Sequence, residues 1–394
     1  MPMSTERSLA ALLAALEPEL AAAEELRRRL HEAPELAHEE DATSAAIAAA
    51  LPVAAETVAG TGLLALVGGD GGAPVGVRAE LDGLPLREAT GAEFSARGET
   101  MHACGHDVHM AALVALVRAA ASLGEELPAP LLAIFQPSEE AYPSGAEMIA
   151  EQALAGLGPR AVVAAHVHPE VAWGSVAIDE GAVNASCDAI EIEIRGEPTH
   201  GAYPHRGRDP VLALSEAVLA LHAAAGRRID PLRPATLTIG VLEAGSAENV
   251  IPARAIARGA LRAHREQERE LLRELCREVV TGVAAAHGCH GEVRLTSGEP
   301  PLRNDAEIVA RARALLGQAG LAVAPPWRSC GSDDFSFFGS QAPLAMAFVG
   351  LDGAPGFLAR PLHHPELLPP AEAVAAVART QAVMYVAATQ APAR

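Results

Sequence analysis

The sequence predicts an α/β protein built on a central β-sheet, with a smaller α+β domain inserted into it. Three observations lead there. The 394 residues exceed what one hydrophobic core encloses, so two domains are expected. Short apolar runs alternate with stretches of helical spacing in the first 185 residues and again after 298. Between them, from 186 to 297, the order strand–helix–strand–strand–helix–strand is that of a ferredoxin-like unit.

Taken in order, an Ala/Leu-rich amphipathic pattern covers 5–31, interrupted by Pro18, which has no backbone N–H to donate. TGLLALVG (61–68), VGVRAEL (75–81), PLLAIFQ (130–136) and AVVAAHV (161–167) are strand-length apolar runs bounded by Gly and Pro. VHMAALVALVRAAASLG (108–124) and GAEMIAEQALAGLG (145–158) have helical spacing and stop on glycine. In the inserted segment DAIEIEIRG (188–196) alternates strictly, as a strand with one wet face does. A helix over 209–226, strands over 235–245 and 253–262, a charged helix over 265–287 and a strand over 291–298 complete that segment. A helix at 304–318, a strand at 343–350 and a final helix from 370 return to the style of the first part.

Composition narrows the function classes. The net charge is −20, and all the basic side chains are arginine. Such a surface repels phosphate backbones and anionic lipid, which argues against nucleic acid and membrane partners. No uninterrupted apolar stretch reaches the roughly 18 residues of a membrane span. The N-terminus MPMSTERSLAALLAALEPEL carries acids and lacks a basic n-region, so a cytoplasmic protein is expected. Five cysteines, scattered and without CxxC spacing, fit a reducing compartment.

Ligand-type residues recur at the ends of predicted strands, where open α/β sheets gather their sites. Cys104 and His106 precede the 108–124 helix; Glu139 and Glu140 follow the strand ending FQ; His166 and His168 end AVVAAHV; His363 and His364 follow the 343–350 strand. Sulfur, imidazole and carboxylate together suit Zn²⁺, Mn²⁺, Co²⁺ or Ni²⁺ better than Mg²⁺ or Ca²⁺. The adjacent glutamates offer one metal-binding carboxylate and one free to carry a proton. Taken alone, MHACGHDVHMAAL (101–113) reads equally as a redox or nucleophilic thiol at Cys104, or as a binding module without catalysis. Asp107 reads as a helix cap or as a partner of an imidazole.

Beyond these residues, the chain resembles the M20 family of metallopeptidases. Within it, the likeness is to the amidohydrolase branch of hippurate hydrolases, N-acyl-amino-acid amidohydrolases and auxin-conjugate hydrolases. The likeness runs through RRRLHEAPELAHEE (27–40), VRAELDGLP (77–85), MHACGHDVHMAAL, FQPSEE (135–140) and AHVHP (165–169). It continues through GEPTHGAYPHRGRDPV (196–211), GSAENVIPARAIARGALR (245–262), GSDDF (331–335) and PLHHPEL (361–367). The resemblance implies a zinc-peptidase-like catalytic domain with a mixed sheet, plus a ferredoxin-like lid that also serves dimerisation. It implies two divalent metal ions, with Cys104, His106, Glu140, His166 and His363 as ligands. Glu139 would be the general base and acid, and Asp82 would support the site. His200 and Asn249 match positions that reach the substrate, and Arg262 is a candidate partner for its carboxylate. The implied activity is hydrolysis of an N-acyl amino acid or a related small conjugate, in a homodimer or homotetramer. A small-peptide hydrolase of the same family is the alternative. Two departures stand out: RAELDGLP places Glu80 where the branch has aspartate and Gly83 where it has alanine, and DDF stands for EDF.

Overall fold

The computed structural model describes residues 4–68 and 72–392, so Met1–Met3 of the N-terminal stretch lie outside the described residues. The chain divides into two compact units. One comprises Met1–Gly181, Arg303–Trp327 and Asp334–Arg394; the other comprises Ala182–Leu302 and Arg328–Asp333.

In the first unit, helices α1 (Thr5–Leu16) and α2 (Leu20–Glu32) are separated by a 3-10 turn at Glu17–Glu19, centred on Pro18. α2 buries Ala23, Leu26, Arg27, Leu30 and His31, one face at helical spacing. Helix α3 (Asp41–Ala50) and edge strand β1 (Ala55–Val58) are not predicted by the apolar pattern. DATSAAIAAA carries little but alanine, and AETV is half polar, so neither shows a period. The sheet then adds β2 (Gly62–Val67), β3 (Val75–Glu80), β4 (Leu131–Gln136), β5 (Ala161–Ala172), β6 (Ser175–Ala177), β7 (Ala322–Val323) and β8 (Leu344–Asp352). Its order is β1-β2-β4-β3-β5-β8-β6-β7. β4, β3, β5 and β8 are parallel neighbours; β1 and β2 run antiparallel to theirs, β6 runs antiparallel to β8, and β7 pairs parallel with β6. Every residue of β3 and β4 is buried, as in strands covered on both faces. Four parallel strands deliver their carboxyl ends to one edge of the sheet, and that edge carries the site.

Helix α4 (His106–Leu123) covers one face of the sheet, packed among α1, α2 and α6 (Ala373–Ala388), while α5 (Ala306–Leu315) packs on α6. Among the described residues α4 is the one helix long and apolar enough to cross a membrane, and most of it is buried in this core. It starts two residues earlier than its apolar pattern, so His106 lies in its first turn. The turn into α4 is made by Gly105 at φ +85°, and a Cβ there would lie 2.4 Å from Val167 Cγ2. Both backbone and space therefore demand glycine.

Asp107, one residue into α4, is neither a cap nor exposed. It accepts from Arg27 Nε at 2.8 Å and from His31 Nδ1 at 2.9 Å, tying α2 to α4 inside the core. His31 Nε2 reaches Glu88 at 3.2 Å, and Arg27 Nη2 donates to Pro369 O at 3.0 Å. Burial disfavours the charged imidazole, but Asp107 and Glu88 outweigh it and hold His31 up at about 9.

The second unit is a four-stranded antiparallel sheet of Asp188–Arg195, Ala235–Ala244, Arg254–Ala263 and His290–Thr296. The first strand sits between the last and the third, and the second forms an edge beside the third. That is ferredoxin-like order. Helices Pro210–Arg228 and Glu266–Ala286 cover it over a core of Ile190, Ile192, Ile194, Leu214, Leu221 and Leu272. Asp209 starts the first helix by accepting the N–H groups of Val211 and Leu212.

Two predictions follow from these contacts. Gly105→Ala lowers stability by about 2–4 kcal/mol, from the left-handed backbone and the clash together; urea unfolding checks it, and an unchanged midpoint refutes the turn argument. For His31, the folded value lies above the unfolded one. Its contribution is therefore full below pH ~6.5 and disappears as pH rises through about 9. The stability difference between wild type and His31→Asn should shrink across that window, and a difference independent of pH would remove the ion pair from the account.

Candidate metal centre

Five loops or strand ends bring donors together at the sheet edge. Asp82 leaves β3, Glu139 and Glu140 leave β4, and Cys104 and His106 flank Gly105 at the start of α4. His166 lies within β5, which continues to Ala172 instead of ending at the histidines. His363 sits on the connection from β8 to α6, with φ +65° and its N–H donating to Ala103 O at 2.8 Å. Its neighbour His364 turns back on its own loop, where Nδ1 accepts the Glu366 N–H at 3.1 Å.

The donor atoms of Cys104, His106 and His166 lie within 4.8 Å of one another, as do those of Cys104, Glu140 and His363, and those of His106, Glu139 and Glu140. Cys104 Sγ is 3.5 Å from His166 Nε2, and His363 Nε2 is 3.2 Å from Glu140 Oε1. Each buried imidazole is oriented through its far nitrogen. His106 Nδ1 donates to Asp82 O at 2.8 Å, and His166 Nδ1 donates to Val167 O at 2.6 Å, which turns both Nε2 atoms to the cluster.

These residues fit a cation. His106 Nε2 and Asp82 Oδ1 are buried without a hydrogen bond, a costly state for two polar atoms in one place, and buried Glu140 Oε1 is met by His363 Nε2 alone, 3.2 Å away. Burial disfavours the charged ring of His106, yet the Asp82 hydrogen bond and the charges of Glu80, Asp82 and Glu140 pull it up to about 10. Carboxylates here outweigh desolvation and favour positive charge. Asp82 is likewise held low against its burial, by His106 and by the N–H groups of Glu140 and Glu139. His166 is held well below the ordinary imidazole range chiefly by burial, which leaves its lone pair available.

The two glutamates diverge because Ser138 is left-handed, at φ +50°. Its N–H donates to Glu40 Oε1 at 2.7 Å, and its Oγ takes the His38 N–H at 2.9 Å and meets His38 Nδ1 at 2.8 Å. From that turn, Glu140 donates its N–H to Asp82 Oδ2 at 2.9 Å and sends its carboxylate towards His363. Glu139 Oε2 lies 3.9 Å from His106 Nε2. Glu40 and His38, both within the AHEE stretch, have no role that a motif or a period could have suggested.

Other candidates fall elsewhere. His168 packs at a tilt against Trp327, with ring centroids 4.0 Å apart, and its Nδ1 accepts the Glu170 N–H. His102 is buried with neither ring nitrogen hydrogen-bonded. The three substrate candidates belong to the second unit. His200 is exposed, pairs in register with Val250, and takes the Ala202 N–H on Nδ1. Asn249 accepts the Gly201 N–H at 2.7 Å through its backbone oxygen. Arg262 donates Nη1 to Cys330 O at 3.1 Å.

A family model described as Peptidase family M20/M25/M40 matches residues 76–385. The chain is 33% identical over 346 residues to N-acetyl-L-cysteine deacetylase of Bacillus subtilis, covering 86% of this chain and 82% of that one. It is 34% identical over 337 residues to N-acetyldiaminopimelate deacetylase of Halalkalibacterium halodurans, covering 83% and 90%. Among solved structures, Bacillus subtilis YXEP protein, a dinuclear metal binding peptidase from the M20 family, superposes with a TM-score of 0.84. It is 27% identical, covering 95% of this chain and 100% of that one.

Proposed function

The chain belongs to peptidase family M20/M25/M40 and is a metal-dependent amidohydrolase, and we propose that its substrates are N-acyl amino acids with small acyl groups. Both relatives named above are deacetylases of N-acetyl amino acids, which supports a short acyl chain. The observation that carries the mechanism is the convergence of five donor residues beside a second glutamate, with buried His106 Nε2 and Asp82 Oδ1 without hydrogen bonds.

In this reading Cys104, His106, Glu140, His166 and His363 would together hold two divalent ions. Zn²⁺, Mn²⁺, Co²⁺ and Ni²⁺ suit this mixture of sulfur, nitrogen and oxygen. When bound, such a pair polarises the acyl oxygen and acidifies a water molecule. Glu139 takes the proton from the attacking water and delivers it to the leaving nitrogen, so one carboxylate serves both halves of the reaction. Asp82 holds His106 and the Glu140 backbone in place for this. His200, Asn249 and Arg262, all on the second unit, would supply hydrogen bonds and charge to the acyl oxygen and the carboxylate of the substrate.

We further infer a cytoplasmic homodimer or homotetramer. The edge strand Ala235–Ala244 leaves Val241 and Leu242 exposed, apolar surface that a second copy would cover.

Glu139→Gln should keep both ions by elemental analysis yet lose more than about a hundredfold in kcat; substantial residual turnover would sink the base assignment. His363→Ala should lose one ion, whereas His364→Ala keeps both. A screen of acetyl-, benzoyl- and indoleacetyl-amino acids orders the acyl groups, with acetyl expected first.

A further inference from the structure

We propose that Glu80 and His109 are positioning residues, which fix the backbone of Val167 and through it the aim of His166. The proposal rests on the reading of His166 as a metal ligand.

β5 pairs with β3 only as far as Arg78 opposite Ala164. The Val162 N–H donates to Pro343 O, on the β8 side. Alternation along the strand therefore points the Val167 N–H to the side that β3 has vacated. A buried N–H without a strand partner needs another acceptor. His109 provides it, with Nε2 3.0 Å from Val167 N.

Accepting there requires an unprotonated Nε2, so the proton of a neutral His109 sits on Nδ1. That Nδ1 is 2.8 Å from Glu80 Oε2, and the carboxylate holds the proton in place. The other oxygen of Glu80 takes Arg78 Nη1. Arg78 is itself braced by Gln136 through Nε at 2.7 Å and by Asp334 through Nη2 at 3.0 Å. At the far end the Val167 carbonyl receives the Nδ1–H of His166 at 2.6 Å. One residue thus carries both functions: the Val167 N–H, in the peptide joining it to His166, is held by His109, and the Val167 C=O, in the next peptide, sets the His166 ring.

Glu80, His109 and His166 also place three donor atoms within 4.8 Å of one another, the spacing of a cation site. Both nitrogens of His109 are already engaged, one as donor and one as acceptor, so this trio is a relay and not a third metal site.

The tautomer supplies a readout independent of activity. In histidine-labelled, metal-free enzyme, long-range proton–nitrogen NMR should show His109 protonated on Nδ1. A wild-type His109 protonated on Nε2 overturns the relay without any variant. In Glu80→Gln, Arg78 holds the amide oxygen and turns the NH₂ group towards His109. Nδ1 must then accept, and Nε2–H faces the Val167 N–H. The tautomer signal should invert, and metal titration should show one of two sites weakened about 10–100-fold. Glu80→Asp retains the acceptor and should restore the wild-type tautomer and most of the affinity. A folded Glu80→Gln that binds both ions like wild type overturns the proposal. His166→Ala separates the two readings: unchanged affinity there removes the ligand assignment and this proposal together. Lost affinity there, with Glu80→Gln unchanged, removes this proposal alone.

Discussion

The carboxylates of Glu80, Asp82, Asp107 and Asp334 are among those almost wholly buried at or behind the edge of the larger sheet. An ionised carboxylate without compensation cannot persist in such a place, so the surrounding structure is organised by where the compensating positive charge comes from. Asp107 has Arg27 and His31. Glu80 and Asp334 share Arg78, with Gln136 and Ser144 adding hydrogen bonds to Asp334. Asp82 is met by an imidazole and by backbone N–H groups, and its Oδ1 stays without a hydrogen bond. Guanidinium charge is permanent and belongs to the scaffold. Where arginine gives way to histidine, the charge becomes exchangeable, and that is where the donor atoms converge.

Backbone strain is distributed the same way. Among the described residues four non-glycine residues have positive φ, and three of them, His38, Ser138 and His363, stand at the loops of the site. Ser138 and His38 hold each other, and His363 is pinned to the loop of Cys104 through Ala103. Such conformations persist only when several contacts fix them, and the contacts here are ones that also aim a carboxylate or an imidazole.

The parts of this arrangement that the sequence discloses are those carried by local spacing. Cys104 and His106 around Gly105, the Glu139–Glu140 pair and His363 before Pro365 are read from short stretches, as are the strands that support them. The parts it hides depend on distant pairs. Asp107 looks like a cap because Arg27 and His31 lie 80 and 76 residues away. Glu80 looks like a conservative swap because a strand buried on both faces shows no alternation to say which way a side chain points. His166 and His168 are equivalent to any period-2 pattern. What separates them is that one lies against Cys104 while the other meets Trp327, which no pattern within β5 encodes.

That distinction explains why β5 runs on past its pairing with β3. A strand that ended at Ala164 would place His166 on a flexible loop. A strand flanked on both sides to its end would leave no opening for a side chain to reach it. Held by β8 on one side alone, residues 166–168 keep strand geometry while the vacated side admits His109 and the turn at Gly105. Gly105 must lack a Cβ because it occupies that same opening, against Val167. The glycine, the truncated pairing and the histidine that replaces it are thus three consequences of one requirement: an imidazole must be held rigidly at a place where the sheet has been opened to receive a ligand.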